Sequence, residues 1–472
     1  MNNSDANGFN LISDRTLSSV PCNVSQEVKM RINNIYVAQL FGVFNHLVSL
    51  NMEDRITIIH SPNGFGKTAL LRIINGFFNS RYSELRTIPF AELRIDFDDG
   101  SHLQITKSID TPEYEKDKDL MFSFSKPGAE KEIFSPNLFM DSIDLSVGIN
   151  VSSDITDDTL QSSGDIETPT QISELQLESI LISASRKFMS KLARRVKEEP
   201  KWLSELRSSI DVHFIETQRL LTPSSVPKTA VDTKHPSMIP SVNIYSQELA
   251  EDIQAKLAEY GALSQSLERT FPARIFNNKT PSDITEEMLR NKLNEIDEKR
   301  SRLREIGLLD KDENPDFQIE QHIDGTTKNI LSVYVEDVEN KLMVFKELAT
   351  KIELFTRIIK QRFLYKNMSI SKEKGFTFTT ADGKPLSPTD LSFGEQHELV
   401  MLYQLLFKVQ PNSLVLIDEP EISLHVAWQV EFLKDLRAII KLANFDVLLA
   451  THSPSIIDDR WDLTVELEKP VE

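Results

Sequence analysis

The nine residues His60-Ser61-Pro62-Asn63-Gly64-Phe65-Gly66-Lys67-Thr68 place a flexible loop, a cation and a hydroxyl in the order that binding a polyphosphate requires. They follow the alternating strand Arg55-Ile56-Thr57-Ile58-Ile59 and open an apolar-periodic helix at Ala69-Leu70-Leu71-Arg72-Ile73-Ile74. In that setting the backbone N–H groups of Asn63, Gly64, Gly66 and the helix start cradle phosphates. Lys67 neutralises them, and the Thr68 hydroxyl reaches Mg²⁺. Ser61 stands where such loops usually carry their first glycine, so the loop is entered without a residue free to take positive φ. A Gly-rich turn without a ligand is the plain alternative, and the strand-to-helix setting argues against it.

A second set of reactive types lies some 350 residues later. Leu414-Val415-Leu416-Ile417 is a continuous apolar run of the kind that forms a buried parallel strand, and it ends in Asp418-Glu419. There Asp418 would hold the Mg²⁺ hydration shell and Glu419 would polarise an attacking water. Two acids at a strand end are by themselves often only solvated. Here a further apolar strand, Val447-Leu448-Leu449-Ala450, follows and ends in Thr451-His452, whose imidazole can donate to a terminal phosphate. The strand Val212-His213-Phe214-Ile215 leads into Glu216-Thr217-Gln218-Arg219.

Leu391-Ser392-Phe393-Gly394-Glu395-Gln396 precedes a helix with apolar positions at Leu399, Leu402, Leu405 and Leu406. Ser392 and the N–H groups near Gly394 and Glu395 could bind a phosphate presented by a second subunit. Ser392 with Glu395 three residues on also fits a capping box, and the two readings are compatible.

These stretches, in this order, resemble the ABC-type ATPase superfamily. Its signature is similar to Leu-Ser-Gly-Gly-Gln; here Phe393 replaces one glycine and Glu395 is inserted before the glutamine position. The variant resembles the SMC, RecF and overcoming-lysogenization branch. The runs Ser392 to Leu399, Asp418 to His425 and Ala450 to Pro454 are similar to ATPases of bacterial anti-phage systems, in layout to the PtuA family of the Septu system. The resemblance implies ATP and Mg²⁺ held between two copies of the chain. Lys67, Thr68, Asp418, Glu419 and His452 would come from one copy, Ser392 and Gly394 from the other, and Gln218 would touch Mg²⁺. It further implies assembly beyond a dimer, a PtuB-like HNH nuclease partner, and DNA met through that complex. Relatives with a Toprim nuclease continue past the head, whereas this chain is expected to close on the strand Leu463-Thr464-Val465-Glu466-Leu467. A RecF- or SMC-like DNA-repair ATPase, or a scaffold holding nucleotide with little turnover, are the alternatives, and Glu419 favours turnover.

The elements that must position these groups form an α/β, ABC-type head with a phosphate loop, built from two lobes and interrupted by a helical insertion. The expected division is a tail over 1–27, an N-terminal lobe over 28–239 with a mobile loop near 142–170, the insertion over 240–345, and a C-terminal lobe over 346–472. Within the first lobe, hairpin strands are expected from Ala91 to Ile105 around Asp99-Gly100. The insertion reads as short paired helices, followed by one long pattern from about Thr326 to Leu364. The net charge of −19 argues against a chain-wide nucleic-acid platform, although Arg186 to Lys197 and Lys299 to Arg304 are locally basic. Cys22 is the single cysteine, which leaves no disulfide framework. No apolar run approaches the ~20 residues of a membrane span, so a cytoplasmic protein is expected.

Overall fold

The structure, a computed structural model, describes residues 30–107, 120–136, 199–223, 238–277, 284–310 and 324–467. The expected tail with Cys22, the loop near 142–170, the basic stretch 186–197 and most of the linker 222–240 lie outside the described residues.

Two sheets enclose the first helix. Strands β1 (Ile32–Leu40), β2 (Phe44–Ser49), β4 (Glu92–Phe97), β5 (His102–Lys107), β6 (Leu120–Ser125) and β7 (Glu132–Phe134) form an antiparallel sheet in the order β2-β1-β4-β5-β6-β7. The Ala91–Ile105 hairpin is present as β4 and β5, with Gly100 at φ +81° where the chain reverses. The second sheet has the order β16-β3-β15-β14-β8 and every pairing in it is parallel. Its members are β3 (Ile56–His60), β8 (Val212–Ile215), β14 (Leu414–Asp418), β15 (Asp446–Thr451) and β16 (Thr464–Glu466).

Helix α1 (Lys67–Phe78) packs between the sheets. Its Leu70, Ile73, Ile74 and Phe77 share one apolar cluster with Ile35, Leu93 and Phe122 of the antiparallel sheet and with Leu416, Leu448 and Ala450 of the parallel one. The alternate residues of the same parallel strands, Val415, Ile417, Val447 and Leu449, face a second cluster with the C-terminal helices. This two-sided burial explains the unbroken apolar runs of β14 and β15, all of whose residues are buried.

The insertion differs from the expected short helices. One helix runs unbroken over Ser241–Asn277 with Pro272 inside it, then come Glu286–Glu305 and Gly325–Met343. The first and third lie antiparallel, since Arg274 pairs with Asp337 and Lys341 with Glu268. Their buried Leu249, Ile253, Val335 and Leu342 join the cluster of the C-terminal lobe, so the insertion packs on that lobe. The single pattern expected from Thr326 to Leu364 is two helices, the second over Lys346–Arg362. The break falls at Val344-Phe345, where Phe345 is fully buried against Tyr260, with ring centroids 5.3 Å apart. Neither glycine nor proline marks it, so tertiary burial overrides a helical period that runs on. Strands β9 (Leu221–Pro223) and β10 (Met238–Pro240) pair antiparallel ahead of the insertion, and after it β11 (Lys366–Ser371), β12 (Gly375–Thr380) and β13 (Pro385–Leu386) form a small antiparallel sheet, turning at Gly383 with φ +78°.

Candidate active site

The phosphate loop is shaped by glycine at two points. Gly66 is the N-cap of α1 at φ 86°, and a Cβ on it would stand 2.5 Å from Leu40 Cδ2, so both conformation and space demand glycine. Gly64 has open space and needs glycine only for its φ of +88°. Ser61 is not among the residues with positive φ, which is why a side chain is tolerated at the loop's entrance. Behind the loop, buried His46 lies with Nε2 2.9 Å from the Phe65 carbonyl oxygen, and Phe44 packs on both His46 and Phe65. Lys67 is 5 % exposed and its ammonium donates to the carbonyls of Ser61 (2.7 Å) and Pro62 (3.2 Å). Burial lowers its pKa, against the opposing charges of Glu419, Glu421 and Asp418.

Parallel pairing of β3 with β15 and of β15 with β14 brings the acids to this loop. Thr68 Oγ1 donates to Asp418, 2.9 Å from Oδ1 and 3.1 Å from Oδ2. Thr217 Oγ1 approaches the same carboxylate at 3.3 Å. Burial raises the pKa of Asp418 although both hydroxyls oppose it. Glu419, one residue on, is held in the left-handed region at φ 42°, ψ 59°, a costly conformation for a non-glycine residue that turns the chain sharply out of the strand. Burial first, and then the charge of Asp418, hold its carboxyl above the ordinary glutamate range.

His452 leaves the end of β15 with its Nδ1 3.3 Å from Glu421 and 3.6 Å from Glu419. Glu419 and His452 line, with Asn63, Gly64, Lys67 and Thr68, one cavity of about 630 Å³. Phe41 and Ile88 give that cavity an apolar side, and Arg72 adds a second cation. The paired oxygens of Thr68 and Asp418 are hard donors of the kind Mg²⁺ takes, so the residues present fit that ion.

The signature lies outside this group, since neither Ser392 nor Gly394 lines the cavity. Ser392 caps the helix Phe393–Tyr403 in a complete capping box, as its sequence spacing allows. The side chain of Glu395 is buried. Its carboxylate accepts from the Ser392 N–H and Oγ–H, both at 2.7 Å, and from Lys366 at 2.6 Å. A carboxylate so engaged shapes the signature loop and has no donor for a phosphate. Phe393 is 67 % exposed and packs on His397, whose pKa burial and the charge of Arg219 push down to about 4.

Gln218 is exposed and does not line the cavity; its neighbour Thr217 makes the contact with Asp418. Gln104, a glutamine within β5, donates to Glu92 and likewise does not line the cavity. Sequence reasoning missed Thr217, which a one-residue shift hides, and gave Glu421 no role although it stands in the same Asp418-Glu419-Pro420-Glu421 run. Among the described residues no three His, Cys, Asp or Glu side chains form a metal-binding group, and no helix is long and apolar enough to cross a membrane.

No curated protein matches the chain. Among solved structures it is similar to the SMC head domain from Thermotoga maritima, at 10 % identity over 94 % of this chain and 99 % of that one, with a TM-score of 0.33. It is also similar to the Smc head domain with an extended coiled coil from Pyrococcus furiosus, bound there to the C-terminal domain of ScpA. That match has 12 % identity over 91 % of each chain and a TM-score of 0.33. Likenesses this remote carry no residue-level correspondence. Residues 225–458, just under half of the chain, match the family described as "AAA domain, putative AbiEii toxin, Type IV TA system". The matched residues contain β14 and β15 of the parallel sheet, whereas β3, β8 and the loop before α1 precede them.

Proposed function

We propose that the protein hydrolyses ATP at sites shared between two copies of itself. The observation that carries this is the meeting of Lys67, Thr68, Glu419 and His452, from the ends of two parallel strands and a helix N-terminus, at one cavity that the signature residues do not line, with Asp418 bound to Thr68 beside it. The N–H groups at the start of α1 and the Lys67 ammonium bind the phosphates, the ammonium exchanging its two loop carbonyls for phosphate oxygens. Thr68 and Asp418 hold Mg²⁺, which when bound neutralises charge on the β- and γ-phosphates. Glu419 orients the attacking water and accepts its proton, and His452 meets the terminal phosphate. Ser392 and the N–H of Gly394 reach that phosphate from the second copy. Thr217, through Asp418, takes the part expected of Gln218.

A subunit-mixing experiment tests the shared site. Lys67→Ala and Ser392→Arg chains are each expected to be inactive alone. Mixed, they form one site carrying both lesions and one carrying neither, so ATPase activity should return. A mixture as inactive as its components would place the whole site in one chain.

The resemblance to the Septu ATPases supports a finer reading, in which the paired heads assemble further and regulate a PtuB-like HNH nuclease that cuts DNA. Co-expression with a small HNH protein encoded beside this chain should give a stable complex that nicks plasmid DNA. The chain alone should leave DNA intact. The scaffold alternative is set apart by steady-state turnover, which it predicts to be negligible.

A further inference from the structure

Glu421 is 8 % exposed, and one of its carboxylate oxygens gathers three contacts from a single neighbouring segment. Oε1 accepts from the Thr451 hydroxyl at 2.6 Å and from the His452 N–H at 2.9 Å, and it lies 3.3 Å from His452 Nδ1. The other oxygen, Oε2, is buried without a hydrogen-bond partner. A buried carboxylate half unpaired is costly, and a chain that served only to hold a turn would do so at lower cost with a neutral side chain. The loop around it is also tied: Gln429 donates to the Glu421 carbonyl at 3.3 Å and accepts from the Ser453 hydroxyl at 2.9 Å.

The geometry points to Glu421 as a positioning residue for His452, acting on the imidazole at both its backbone and its Nδ1 edge. Carboxylates only accept, so with Glu421 and Glu419 both facing Nδ1 the proton of the neutral ring belongs on that nitrogen. Nε2 is then the ring atom left for the nucleotide. The same oxygen binds the His452 N–H, so backbone and ring cannot turn independently. Glu421 itself does not line the cavity, which separates its role from those of Glu419 and His452. This rests on the proposed role of His452, and its test keeps the two apart.

The measurement is a double-mutant cycle in the full chain with Glu421→Gln, His452→Ala and the combination, reading kcat, KM for ATP and melting temperature. Glu421→Gln keeps an oxygen for the Thr451 and His452 donors, so melting should be near that of the wild type. Its kcat should fall by about tenfold or more, the usual size of such an orienting effect, with KM within about twofold. The combined variant should be no slower than His452→Ala alone, because an orienting group has nothing left to orient. Losses that multiply in the combined variant, or an unchanged kcat in Glu421→Gln, would overturn the positioning role. A His452→Ala chain with wild-type kcat would instead remove His452 from the reaction, and with it the premise. Glu421→Asp, whose shorter side chain retracts the carboxylate, gives the independent check: kcat lowered at unchanged ATP affinity supports orientation, and lowered ATP affinity with unchanged kcat contradicts it.

Discussion

At the residue scale the site is a set of charges whose environments have been adjusted. Lys67 is buried among carbonyl oxygens and three acids, and its cation has no substitute in the loop. Lys67→Ala should abolish ATP binding in a calorimetric titration while the circular dichroism spectrum stays that of the wild type; retained affinity would show that the loop's N–H groups suffice. Glu419 stands apart from Asp418 by environment as well as by one position, since Asp418 is tied to two hydroxyls and Glu419 is not. Glu419→Gln should bind ATP normally and hydrolyse it at least ~10²-fold more slowly. The sign of the pH dependence follows from the raised pKa of Glu419. The base works only when ionised, so activity is present above its pKa and is lost as pH falls through it, at a pH above the ordinary glutamate range. That acid limb should be missing from the residual activity of Glu419→Gln.

At the element scale the helix Lys346–Arg362 is fastened to its neighbours by one guanidinium. Arg362 is buried and pairs with Glu398, which is fully buried on the signature helix, and with Asp435 on the helix Val426–Ala443. Burial lowers the pKa of Arg362 and raises that of Asp435, the expected signature of ions withdrawn from water. Such a pair adds little net stability over apolar side chains of the same shape, yet breaking it from one side strands a charge. Arg362→Ala should therefore cost on the order of 3–5 kcal/mol in urea denaturation. A loss below about 1 kcal/mol, the size of an exposed pair, would mean that water reaches Glu398.

At the scale of the whole molecule the parallel sheet is discontinuous in sequence. Strand β3 lies between β16 and β15, so the residues matching the AAA-type family cannot form the sheet without a strand from the first 60 residues. A fragment of residues 225–472, which keeps β16 but lacks β3 and β8, should be aggregated or molten, without near-UV circular dichroism and without ATP binding. Supplying residues 30–223 as a second chain should restore both if the two lobes fold only by pairing. A fragment that folds alone would show that β14 and β15 need no cover from β3.

What the sequence determined by itself was local. The glycine pair and Lys67-Thr68 before an apolar helix, the apolar runs ahead of Asp418-Glu419 and His452, and the Ser392 to Glu395 spacing each follow from short-range sterics and hydrogen bonding, so each could be read along the chain. Its misreadings share one cause. The break at Val344-Phe345 exists because Phe345 is drawn under Tyr260, and the helix through the exposed Pro272 is tied to its antiparallel neighbour by the Arg274–Asp337 pair; neither contact is marked locally. Glu395 could be read as a capping residue from its spacing, but only the approach of Lys366 from another strand settles where its carboxylate is held. Thr217 rather than Gln218 meets Asp418 because β8 pairs with β14 in one register, and Glu421 reaches His452 because β15 lies beside β14. Contacts between residues far apart in the chain are set by strand order and register, which only the tertiary structure decides.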